Sequence, residues 1–300
     1  MVSSTQQRVL IIDGDPYAFK AALANEFSID DGDGWIMAAC HIDQAVARTV
    51  HELKQLAEQF SAQIVFCWSG LQNPCFRHQL GAYKEKRKTA VRPLGIQEIK
   101  TALAAHFESY WLPNIEADDV IGILATDPTF KPGCEKVIVS IDKDLKTIPG
   151  LFFNPDKMDA PEHRTQQQAD LFFYAQAIAG DIADGYTGAP GFGMQTAEKL
   201  LIAGHAVETY THTLTRGVRK GQQEQRRREV PATNHWETVV SCYEAAGLNE
   251  DDALLNARMA RILTADLWNA STQRPVLWRP GLGALNNKKR NAEQQAQTQG

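Results

Sequence analysis

RVLIIDGD, residues 8–15, is the stretch on which the fold turns. Val9 to Ile12 form an unbroken apolar run with no alternation, which predicts a strand buried on both faces. Asp13 closes the run, and Pro16 suits the first turn of a following helix. The pattern recurs. QIVFCW (63–68) and KVIVSI (136–141) predict two more buried strands, the latter again followed by acids, Asp142 and Asp144. LFF (151–153) predicts a fourth strand, and SYWL (109–112) a short one.

Helical patterns fill the gaps. One follows the loop FSIDDGDGW (26–34) and runs to about Phe60; others are GIQEIKTALAAHF (95–107) and EADDVIGILAT (116–126), with acids in its first turn. Strands alternating with helices predict an α/β fold, a mainly parallel sheet flanked by helices. Ligands of such sheets gather outside the carboxyl ends of the strands, where Asp13, Asp142 and Asp144 fall.

From about Thr165 onward the sequence predicts helix almost throughout. TQQQADLFFYAQAIAG ends at Gly180, GDIADGYTGAPGFG (180–193) makes a glycine-rich turn, and MQTAEKLLIAG follows as another helix. RGVRKGQQEQRRRE (216–229) is strongly basic, and 281–300 is polar and rich in Gln, which predicts disorder. The expected division is 1–164 as an α/β domain with a basic insertion at 70–93, 165–280 as a helical region, and 281–300 as a tail.

Composition bounds the function. The 300 residues are 43% hydrophobic and 22% charged, ordinary for a soluble globular protein, and no apolar run predicts a membrane span. The N-terminus has no charged-then-apolar leader layout, so a cytoplasmic location is expected. Five cysteines without a C-x-x-C pair predict reduced thiols and no zinc site. A net charge of −5 does not exclude a nucleic-acid partner, because a basic groove can hide in an acidic total.

Four groups of acids stand at element ends: Asp13 with Asp15; Glu116, Asp118 and Asp119; Asp142 and Asp144; Asp181 and Asp184. Each alone also reads as helix capping or a turn. Together they suit hard cations, Mg²⁺ or Mn²⁺, since carboxylate oxygens without Cys or His are the ligands of such ions. Two ions could activate water and stabilise a leaving oxygen in phosphodiester cleavage. RHQLGAYKEKRKTAVRP (77–93) is densely positive, which suits either a solvated helix face or a phosphate contact.

VLIIDGD, AYKEKRK, IEADDVIG, VIVSIDKDLKTIPG, GDIADGYTGAPGFGMQTAEKLL and VLWRP occur in this order over residues 8–280. In these stretches the chain resembles the structure-specific 5′-nucleases, the flap endonuclease and 5′→3′ exonuclease family, and within it the gene 6 type of short-tailed phages. The resemblance implies a PIN/resolvase-like domain with a helical arch and a helix–three-turn–helix region. It implies Asp13, Glu116, Asp118 and Asp119 as ligands of one metal ion and Asp142, Asp144, Asp181 and Asp184 of a second. Lys84 and Arg87 match a Y-K-x-x-R motif and are implied to be catalytic, with Asp13, Asp118 and Asp119. Arg77, Tyr83, Lys84, Arg87, Gly188, Gly191, Gly193 and Thr196 are implied to contact DNA. The glycine turn is implied to hold K⁺ as well. The implied substrate is duplex DNA with a 5′ end or flap, with RNA–DNA hybrids in addition, cut by a monomer in the cytoplasm of a phage host.

One position departs from the family pattern. After the second long strand the family has an acid, and an ungapped match puts Gly70 there; a shifted match puts Ser69 or Trp68. The departure leaves two rivals: a weakened or inactive protein that binds 5′ ends without cutting, and a ribonuclease of related fold.

Overall fold

The computed structural model describes residues 7–33, 35–70, 75–85 and 91–281. Arg87 and its neighbours Lys86 and Lys88, and the expected tail from residue 282, lie outside the described residues. The chain forms two compact units. The described residues of the first fall within Met1–Phe76, Arg87–Gln166 and Ile262–Val276, and those of the second within Arg77–Lys86, Gln167–Arg261 and Leu277–Gly300.

The first unit runs β1 (Arg8–Asp13), α1 (Gly14–Asn25), β2 (Glu26–Asp30), β3 (Ile36–Cys40), α2 (Ile42–Phe60), β4 (Ala62–Cys67), α3 (Ile96–His106), β5 (Glu108–Tyr110), α4 (Ala117–Thr126), β6 (Glu135–Val139), β7 (Gly150–Phe153) and β8 (Glu162–Arg164). Its six-stranded sheet has the order β5-β4-β1-β6-β7-β8, parallel except for β8. The apolar run that opens the sequence is the central strand: Val9 to Ile12 are fully buried, with β4 and β6 on either side.

Register then places the functional candidates. Asp13 pairs with Cys67 and Ile12 with Val139, so β1, β4 and β6 end level at one sheet edge. Core side chains of β1 and β4 pack with α1, α2 and α3, through Leu10, Ile12, Phe66, Ala18, Ala22, Leu53, Ile99 and Leu103. Gly14 follows Asp13 because the Trp68 ring lies against it; a Cβ there would come within 2.5 Å of that ring.

The second unit contains α5 (Gln166–Ala179), α6 (Met194–Ala203), β9 (His205–Thr213), β10 (Gln223–Pro231), α7 (His235–Ala245) and α8 (Glu250–Ala260). Phe173, fully buried, packs on Trp278 and under the Arg261 guanidinium, and the Tyr243 hydroxyl donates to Ala177 O at 2.7 Å.

Two local expectations are corrected. Residues 26–40 form an antiparallel hairpin, β2 with β3, where a loop and the start of a helix are expected. The expected near-continuous helix after residue 165 is broken by the β9–β10 hairpin. Both hairpins are largely solvent-exposed, so no alternating apolar face marks them in the sequence. Of the expected arch, the described residues show a 3₁₀ turn at Phe76–Gln79 and 3₁₀ geometry at Glu85, while 71–74 and 86–90 lie outside the described residues. Among the described residues, no helix is long and apolar enough to cross a membrane.

Candidate active site

The first unit's acids stand where its strands end. Asp13 is 7% exposed, and its Oδ2 accepts from the Ser140 hydroxyl at 3.0 Å. The same hydroxyl oxygen accepts from Asp142 N–H at 3.0 Å, so Ser140 bridges the ends of β1 and β6. Burial pushes the Asp13 carboxyl up to about 7, and the nearby charges of Asp15 and Asp142 push the same way against the Ser140 hydrogen bond. Asp142 Oδ1 accepts from Asp144 N–H at 2.8 Å, capping a 3₁₀ turn at Lys143–Thr147; Asp142 is exposed and Asp144 half-buried.

Glu116 is the N-cap of α4 in a reciprocal capping box with Asp119. Asp118 is half-buried, with Oδ1 accepting from Asp119 N–H. Asp119 is fully buried: Oδ2 accepts from Glu116 N–H at 3.4 Å and Oδ1 from Leu263 N–H at 3.0 Å. Asp119, expected as a metal ligand and in catalysis, is thus held at both carboxylate oxygens by hydrogen bonds from the main chain. It braces α4 against the 262–264 segment. Gly122 allows the same close packing, since a Cβ there would lie 2.2 Å from Leu263 O.

Three residues at this edge are not among the expected site residues. Lys100 Nζ pairs with Asp15 Oδ1 at 2.6 Å and lies 5.4 Å over the Trp68 ring. Ser69 donates its N–H to Asp15 Oδ2 at 3.3 Å and accepts from Ala117 N–H at 3.0 Å. It thus ties the end of β4 to the start of α4. Ser140 is the third. Gly70 borders a cleft of about 840 Å³ shared with Trp68, Lys100 and Trp111.

In the second unit, Asp181 pairs its main chain with Tyr186 to close the glycine turn, and its Oδ1 accepts from Ala183 N–H at 2.8 Å. Asp184 Oδ2 lies 3.7 Å from Lys84 Nζ, and Lys84 N–H donates to Asp184 O at 2.8 Å. Lys84 has φ +50°, a left-handed conformation, and its ammonium lies 4.8 Å over the Tyr83 ring. The main chain of 82–84 is thus pinned to the turn at 184–185, where a Cβ on Gly185 would lie 2.2 Å from Ala82 O.

Several expected DNA contacts take other roles. Arg77 is 1% exposed and donates through Nε to Met259 O at 3.0 Å and through Nη2 to Arg261 O at 2.6 Å. Tyr83 is 2% exposed, beneath the Arg77 and Lys84 cations. Neither offers itself to a phosphate or base in this arrangement. Gly188 is buried, donates its N–H to Asn256 Oδ1 at 3.0 Å, and packs on the main chain of 178–180. Gly191, Gly193 and Thr196 are exposed, and Gly193 is the N-cap of α6.

The carboxylate donors at the sheet edge suit a hard divalent ion in kind, and the acidic surroundings of Asp13 are what such an ion neutralises. Among the described residues, no three Asp, Glu, His or Cys side chains are gathered into a ready cation cage.

The sequence matches the family described as 5′-3′ exonuclease, N-terminal resolvase-like domain, over residues 8–150. It is 33% identical to the exonuclease of Escherichia phage T7 over 286 residues, covering 91% of this chain and 93% of that one. The chain belongs to the 5′–3′ exonuclease family. The exodeoxyribonuclease of Enterobacteria phage T3 is also 33% identical, with the same coverage. The flap endonuclease Xni of Shewanella piezotolerans is 35% identical over 129 residues, 40% of this chain and 50% of that one. A solved structure of T5 5′-exonuclease with bound zinc shares the fold at a TM-score of 0.54 and 14% identity, covering 85% of this chain and 89% of that one.

Proposed function

We propose that this 5′–3′ nuclease hydrolyses phosphodiester bonds near the 5′ ends of duplex DNA, independently of sequence. The reading is carried by one observation: Asp13, buried at the end of the central parallel strand, has Asp15 and Asp142 close by and a carboxyl pushed up to about 7. A side chain so placed is costly unless a cation shares its charge.

Asp13, Glu116, Asp118, Asp119, Asp142 and Asp144 are the donors proposed for divalent ions in the first unit; Asp181 and Asp184 are the second unit's carboxylates of the same kind. Two Mg²⁺ or Mn²⁺ ions, when bound, supply Lewis acidity and a means of activating water. The chain's own residues do the rest. Ser140 and Ser69 hold the sheet-edge acids in register. Lys84, with Arg87, offers positive charge to the non-bridging oxygens of the scissile phosphate. The exposed glycines at 191 and 193 and the N-terminus of α6 receive a backbone phosphate, and the turn's carbonyls hold K⁺. Contacts to sugar and phosphate do not read bases, so RNA–DNA hybrids are a second expected substrate. One copy of the chain is sufficient.

A time course with 5′-labelled duplex tests this. Mononucleotides or short fragments carrying a 5′-phosphate should appear from that end with Mg²⁺ or Mn²⁺, and none with chelator. Degradation from the 3′ end, or of single-stranded RNA in preference, would refute it.

A further inference from the structure

The RGVRKGQQEQRRRE stretch forms the tip and most of the second strand of a hairpin, β10 pairing with β9 in a nine-pair antiparallel register from Gln223↔Thr213 to Pro231↔His205. Its tip, residues 214–222, is closed by main-chain bonds between Leu214 and both Gln222 and Gly221. Gly217 and Gly221 there have φ +78° and +88°, so the tip is a formed turn.

Charge is distributed unevenly along it. On the strands, Arg226 pairs with Glu224 and Arg228 with Glu208, each at 2.7 Å. Those two guanidinium groups are spent within the hairpin. The tip sequence LTRGVRKGQQ (214–223) carries Arg216, Arg219 and Lys220 and no acid, and all three cations are exposed. Glu224 also reaches Arg219 electrostatically, which leaves Arg216 and Lys220 as the least compensated of the three.

The base of the hairpin joins the glycine turn. Arg227 lies 5.1 Å over the Phe192 ring, and its Nη2 donates to Ala245 O at 2.6 Å. A Cβ on Gly191 would meet only Arg227 Nη1, at 3.7 Å. Arg227 is therefore fixed beside the exposed end of the turn at 191–193. Gln223 lies four residue steps along the strand from Arg227, about 13 Å at strand rise. That spans about four base pairs, and the tip reaches farther.

We propose that the β9–β10 hairpin is a clamp for the backbone of duplex DNA, extending the phosphate track from the glycine turn through Arg227 to Arg216, Arg219 and Lys220. It rests on the nuclease reading for the kind of polymer bound. It predicts a division within one basic stretch: tip cations bind DNA, and the strand pairs at 226 and 228 hold the hairpin together.

The test is equilibrium binding in Ca²⁺ to 5′-ended duplexes of about 8 to 40 base pairs, as a function of salt. In the triple variant Arg216→Gln, Arg219→Gln, Lys220→Gln, affinity should fall roughly 10-fold or more on long duplexes, with a salt slope shallower by about 2 to 3. The wild-type-to-variant ratio should rise stepwise with duplex length. A double variant, Arg216→Lys, Arg219→Lys with Lys220 kept, should bind as wild type, which separates charge from folding. Equal loss at all lengths, no loss, a loss confined to single-stranded DNA, or failure of the lysine variant would overturn the clamp. Length-dependent binding without cleavage in Mg²⁺ would leave the clamp standing and defeat the nuclease reading instead.

Discussion

Gly70 stands where the family pattern has an acid, and its surroundings leave room for one. A Cβ there would meet only Leu112 O, at an ordinary 3.7 Å, and its backbone lies outside the left-handed region. Gly70→Asp should therefore fold normally and raise turnover or divalent-ion affinity several-fold; an unchanged rate at every metal concentration would show that Ser69 and the remaining acids already complete the site. Lys84 differs, because its φ of +50° costs about 1 kcal/mol. It keeps that conformation while its N–H and ammonium engage Asp184. Lys84→Ala should lower kcat roughly 10²- to 10³-fold with DNA affinity within about 3-fold. Parallel losses in both would make Lys84 a grip on DNA and not a stabiliser of developing charge. At this residue scale the sequence offers AYKEKRK, whose match to the family motif singles out Lys84. The burial of Arg77, Tyr83 and Asp119 is not legible there, since local sequence does not say which neighbours cover a side chain.

Among the elements, the glycine turn depends on its own packing more than on access for a ligand. Gly180 and Gly188 have φ +71° and +66°, and a Cβ on either would lie within 2.4 Å of the opposite main chain. Gly188→Ala should destabilise by about 2–4 kcal/mol, read as a lower midpoint in denaturant. Gly193→Ala should be nearly neutral in the same measurement, because a Cβ there meets nothing within 4 Å. Similar losses at both positions would contradict this division. The glycine-rich composition marked the turn; which glycines serve the fold and which face outward follows from contacts between segments.

At the scale of the whole molecule, site chemistry and stability oppose one another through Asp13. Its folded carboxyl titrates at about 7 against an ordinary 3.8, because burial and its acidic neighbours disfavour the charge. The folded chain thus holds this proton more tightly than the unfolded chain does. That stabilisation is full below about pH 4 and is lost as pH rises to about 7. In metal-free protein, Tm should fall across this window, and Mn²⁺ or Mg²⁺ should restore it at pH 7 to 8. Asp13→Asn should abolish cleavage and raise the metal-free unfolding free energy at neutral pH by an amount on the order of 2–4 kcal/mol, seen as a higher Tm. A variant no more stable than wild type at pH 7.5 would refute the coupling.

The alternation of apolar runs with amphipathic helices determined the parallel sheet, because a strand buried on both faces must be continuously apolar. The acids ending those runs put carboxylates at one edge of that sheet. The tertiary structure alone decided the exposed β9–β10 hairpin, whose strands bury too little for a period to appear. It alone gave Ser69, Ser140 and Lys100 their partners across the sheet edge. Hydrophobic burial writes its period along a chain, whereas a hydrogen bond or ion pair between distant residues exists only once packing has brought them together.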